Sequence, residues 1–98
     1  MHDYYVYVWK RPDTNEFLYV GYGTGPHRYQ KPFHSKEFQL IFNDLKEKGF
    51  EPKNYIVTNN LSRNEARLLE SYLIIKLIQE GQPLVNKYFN WKRETTKL

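Results

Sequence analysis

The chain contains no cysteine. That absence removes a disulfide framework, a thiolate nucleophile and any cysteine-based zinc site, and it fits a reducing compartment. Long apolar runs are missing as well: the longest, LLESYLIIKLI, is interrupted by Glu70, Ser71 and Lys76 and is too short to cross a bilayer. The opening MHDYYVYVWK lacks the basic flank and small-residue cleavage site of a signal peptide, so the cytoplasm is the expected location. The histidines His2, His27 and His34 form no HxxxH or HxH pair, which argues against a histidine zinc site. His2 is terminal, and His27 has no assigned role. Neither an internal repeat nor a low-complexity tract occurs.

What is present fits one small folded domain. A chain of 98 residues supports a single core, and 40% hydrophobic with 17% aromatic residues is far from the composition of a disordered segment. A formal charge of +4 favours a polyanionic partner.

Two aromatic and β-branched runs, YYVYVW (Tyr4 to Trp9) and FLYVG (Phe17 to Gly21), flank KRPDTNE, whose Pro12, Asp13 and Asn15 are turn formers. They read as a β-hairpin. Period-two alternation puts Tyr5, Tyr7 and Trp9 on one face with Phe17, Tyr19 and Gly21, and Val6, Val8, Leu18 and Val20 on the other. HSKEFQLIFNDLKEKG then reads as a helix with Ser35 as N-cap and Gly49 beyond its end, followed by a strand over 54–59. The second helix begins at a capping box, Ser62 with Glu65 three residues on, and runs to about Gly81. The order β-β-α-β-α predicts an α+β fold, a three-stranded antiparallel sheet with helices against its aliphatic face.

One carboxylate sits where an apolar residue belongs. Ala66, Leu69, Leu73 and Leu77 form a helical stripe, and Glu70 falls within it. Removing that charge from water costs several kcal/mol unless a cation, a metal or donated hydrogen bonds offset it. Two accounts stand: an ion pair with Arg63 or Arg67, or a functional site. Glu65, by contrast, is explained by its capping role. Tyr7 and Tyr19 are either cross-strand packing or part of a site beside the turn GYGTGPHR, whose glycines read as a strand end that requires positive φ and a close backbone approach. That turn carries neither the GK[ST] ending of a P-loop nor GxGxxG leading into a helix. His34, just before the Ser35 cap, is incidental or faces a ligand at the helix start. The tail NKYFNWKR mixes basic and aromatic residues, suited either to nucleic-acid contact or to a frayed terminus.

Taken in order, these residues resemble the GIY-YIG nuclease superfamily across about residues 4 to 88. YVY (Tyr5 to Tyr7) stands for the first name motif and YVG (Tyr19 to Gly21) for the second. Arg28, the helix-start His34, the in-helix Glu70 and Asn86 in PLVNK follow in the family order. The opening is most similar to the subgroup with a YVGKGxGxR turn, and HSKEFQLIF to the catalytic domain of phage intron homing endonucleases. The first glycine of the name motif is Tyr5 here, and the subgroup's turn lysine is Tyr22.

The resemblance implies a GIY-YIG-like domain over 1–88 with a basic tail over 89–98, and metal-dependent hydrolysis of DNA, double-stranded, as the activity. It places Tyr7, Tyr19, Arg28, His34, Glu70 and Asn86 in the catalytic site. Tyr7 would be the general base, Arg28 the phosphate clamp, and Tyr19 and His34 would orient water or phosphate. Glu70 would hold one Mg²⁺ or Mn²⁺. Gly21, Tyr22, Gly23, Lys87, Lys92 and Arg93 would contact nucleic acid. A basic binding module without cleavage, on the same scaffold, is the alternative.

Overall fold

The computed structural model describes residues 2–32 and 35–86, apart from the side chain of Tyr29. His34, Lys87, Lys92, Arg93 and the tail over 89–98 lie outside the described residues. The chain runs β1 (Tyr4–Lys10), β2 (Phe17–Gly23), a 3-10 turn (Gly25–Tyr29), α1 (Lys36–Glu47), β3 (Lys53–Leu61) and α2 (Arg63–Gln79). The strands form an antiparallel sheet in the order β2-β1-β3, so the α+β fold expected from the element order is the one formed.

Each boundary has a local cause. The hairpin closes through the Arg11 N–H donating to Glu16 O at 2.8 Å, with Asn15 in the left-handed region at φ 66° and Arg11 gripping Asp13 through two donors. Ser35 Oγ accepts from Phe38 N and starts α1, while Gly49 ends it at φ 84°. The capping box of α2 forms in both directions: Glu65 N donates to Ser62 Oγ at 3.1 Å and Ser62 N donates to Glu65 Oε1 at 2.8 Å.

The sheet buries both faces, which corrects the expectation that the helices share its aliphatic side. On the aromatic face Tyr5, Tyr7 and Trp9 pack with Phe38 and Phe42 of α1. Trp9 meets the Phe38 ring edge-on at 5.9 Å. Val6, Val8 and Val20 on the other face pack with Ala66, Ile74 and Leu77 of α2. The hydroxyls of the tyrosines do not prevent burial, because the rings carry large apolar areas of their own.

A second correction concerns the start of β2. Trp9 pairs with Tyr19 but Lys10 pairs with Phe17, so the register shifts there and one residue is added to β2. Phe17 moves to the aliphatic core and Leu18 joins the aromatic one. Beyond the irregularity the expected alternation holds, with Tyr7 opposite Gly21 and Val8 opposite Val20.

The outer edge of β2 is covered by the segment after α2. Val85 N donates to Leu18 O at 2.8 Å. Two residues further along β2, Asn86 takes over with its side chain: Val20 N donates to Asn86 Oδ1 at 3.0 Å, and Asn86 Nδ2 donates to Val20 O at 2.8 Å.

Candidate functional site

The glycines of β2 open a cleft of about 450 Å³ at the sheet's margin. Gly21 stands opposite Tyr7, and a methyl group at Gly21 would lie 2.5 Å from Tyr7 Cζ and Oη. The phenol therefore lies directly over the glycine and reaches into the cleft. Gly23 does the same for His27: a Cβ there would fall 2.5 Å from the imidazole Cδ2. These two glycines are required by close approach, since neither has a positive φ.

Residues from both sheet faces line the cleft. Tyr7, Tyr19 and His27 come from the aromatic side, and Tyr4 and Tyr22 from the side of α2. The Tyr7 ring is 6.4 Å from Tyr19 and 6.2 Å, edge-on, from His27. The Tyr4 and Tyr22 rings are 6.3 Å apart. α2 contributes Arg63 and Glu70. A smaller hollow of about 110 Å³ shares Tyr7, Tyr19 and His27 with the cleft and adds Gln30, Lys31 and Pro32.

Glu70 is 7% exposed and lies in the buried row Ala66, Glu70, Ile74, Leu77. The stripe reading was thus correct in placing it among apolar neighbours. The salt bridges given for the described residues, His2–Glu65, Arg11–Asp13 and Asp44–Lys48, do not include Glu70, which has an interaction of its own. Glu70 and Tyr7 line the same cleft. Tyr7 is 3% exposed, and burial pushes its phenol well above the ordinary tyrosine value, with Tyr19, Tyr5 and Glu70 acting in the same direction.

The other expected site residues take different places. Tyr19, Gly21, Tyr22 and Gly23 all line the cleft. Asn86 does not: it is 4% exposed, and its amide is engaged with the Val20 backbone, which fixes β2 from outside. Arg28 is absent from the lining of either cavity among the described residues. Its backbone is anchored twice, its N–H donating to Tyr5 Oη at 2.9 Å and its carbonyl accepting from Asn54 Nδ2 at 2.9 Å. Tyr5 Oη in turn donates to Gly25 O at 2.6 Å. Tyr5 is therefore the strut between β1 and the 3-10 turn.

Sequence reasoning named Arg63 only as a possible ion-pair partner of Glu70 and gave His27 no role, yet both line the cleft. One signal for Arg63 was available: a cation in the first turn of a helix opposes the helix dipole. For His27 the glycine at position 23 was the available sign, although nothing in the sequence said which side chain needed the space. Among the described residues no cluster of three or more histidines and carboxylates could cage a metal, and no helix is long and apolar enough to cross a membrane. Comparison of the chain with protein-family models, curated proteins and solved structures yields no match.

Proposed function

We propose that this chain is a metal-dependent endonuclease that hydrolyses DNA phosphodiester bonds. The observation that carries the reading is the convergence of a buried carboxylate, Glu70, and a buried phenol, Tyr7, on one cleft that also takes an arginine and a histidine. A desolvated phenol whose titration is shifted, beside a buried carboxylate in one cleft, is the usual mark of a reactive site. The ordered resemblance to the GIY-YIG nucleases supports the same chemistry, and the net positive charge suits a polyanion.

The donor set fits one hard cation. Mg²⁺ is commonly bound by one or two carboxylates, with waters and substrate phosphates completing its shell, and Glu70 supplies such a carboxylate at the cleft wall. Held there, Mg²⁺ or Mn²⁺ would add positive charge where a phosphoryl oxygen becomes more negative. Tyr7 Oη would take the proton of the attacking water. Its raised value opposes that role, so positive charge in the cleft has to favour the phenolate before Tyr7 can act. Tyr19, beside it, would orient the water. Asn86 would act at one remove, by holding the strand that carries Tyr19 and Gly21. Arg28 follows His27 on the anchored turn and would reach a phosphate only from outside the cleft's described lining, and His34 belongs to the proposal through the resemblance alone.

A second reading, a DNA-binding module that does not cut, is favoured by one observation: the burial that raises Tyr7 makes it a poor base. Supercoiled plasmid incubated with the protein in Mg²⁺ and then in EDTA separates the two. We expect nicked or linear product in Mg²⁺ only, and its loss in Glu70→Ala with binding retained. Cleavage by Glu70→Ala at the unmodified rate would remove the nuclease assignment.

A further inference from the structure

Arg63 occupies an unfavourable position for a cation. It is the first residue of α2, where the helix dipole presents its positive end. Arg67 lies one turn further on at i+4, a like-charge spacing that is also mildly destabilising. No ion pair compensates it among the described residues, and Glu65, the acidic residue of the first turn, is engaged with Ser62. Such an arginine contributes little to folding. Arg63 nevertheless lines the cleft, together with Glu70 and Tyr7.

His27 reaches the same space from the 3-10 turn. Its ring rests on the bare backbone of Gly23 and against the edge of Tyr7, so the fold reserves room for it at a position where a side chain would otherwise stand. It lines both the cleft and the smaller hollow, at the junction of the two. His27 is exposed to solvent, as a residue that meets an incoming ligand must be. Arg63 and His27 thus approach one cleft from the two faces of the sheet, one a planar fork of donors and the other a ring N–H.

We propose that Arg63 and His27 form the phosphate clamp of this cleft, gripping the substrate's backbone phosphate from its two sides. The proposal rests on the polyanion reading above. Guanidinium and imidazole donors suit phosphate oxygens, and a clamp built from two elements fixes the phosphate relative to Tyr7 and Glu70, which neither element could do alone.

The test is a titration of a short fluorescent DNA duplex of random sequence by anisotropy, in EDTA, over a series of salt concentrations. Arg63→Ala and His27→Ala are each expected to weaken binding by about tenfold, and Arg63→Ala should lower the slope of log affinity against log salt by about one. Arg67→Ala removes the same charge one turn away, outside the cleft lining, and should weaken binding less than about twofold. Thermal unfolding of Arg63→Ala should be unchanged or shifted upward, which a structural role would not allow. Equal weakening by Arg63→Ala and Arg67→Ala, or unaltered binding by Arg63→Ala and His27→Ala, overturns the clamp even if the unmodified protein binds and cuts. If the unmodified protein fails to bind the duplex, the clamp and the nuclease reading fall together; binding without cleavage removes only the nuclease, and the arginine series still decides the clamp.

Discussion

Gly21 sets the position of Tyr7 by having no side chain. A methyl group there would meet a ring that is itself buried in a packed core, so either the ring or the strand must move. Gly21→Ala should therefore destabilise the fold by about 1–3 kcal/mol in urea unfolding and should also displace the phenol from the cleft. Tyr7 has a second measurable consequence. Its phenol is raised in the folded state above the ordinary 10.0, so folded and unfolded chains bind that proton equally well below pH 10, and only the unfolded chain releases it as pH rises further. Stability should fall above about pH 10 with an extra slope of up to about 1.4 kcal/mol per pH unit. Tyr7→Phe removes that component and leaves the other tyrosines in place, so the difference between the two unfolding curves isolates it.

Among the elements, β1 and the two capped helices were legible from local patterns. Alternation in β1 and the Ser62 and Glu65 pair are rules of near neighbours, and the fold obeys them. The start of β2 was not legible, because one inserted residue exchanges the faces of Phe17 and Leu18 without leaving a mark in composition. Glu70 could be flagged because it broke an apolar stripe. Arg63 and His27 gather from separate elements, and no local rule connects them. Asn86 was singled out only through the resemblance, because its partner is 66 residues distant and the partnership is with backbone. Asn86→Ala would leave both polar groups of Val20 unpaired at a buried site, at a cost of about 1–3 kcal/mol each. Asn86→Asp should be worse at neutral pH, since a carboxylate cannot donate to the Val20 carbonyl and brings a buried charge beside it; chemical denaturation of the two variants gives the order.

At the scale of the whole molecule, stability is divided between two thin cores that share one sheet. Ile74, fully buried against the valines, should cost about 2–5 kcal/mol on conversion to alanine. Ile56 of β3 is 39% exposed, and Ile56→Thr should change unfolding free energy by no more than about 0.5 kcal/mol. The contrast has a topological origin: β3 flanks β1 but receives little cover from either helix, and Tyr55, Ile56 and Val57 all remain exposed. The two margins of the sheet are consequently unlike. Asn86 imitates a peptide unit, offering one acceptor and one donor to Val20 as a neighbouring strand would. A single side chain thus serves as a fourth strand one residue long. It finishes the ladder on the margin that carries Tyr19, Gly21 and Gly23, so that margin offers Val20 to no other chain.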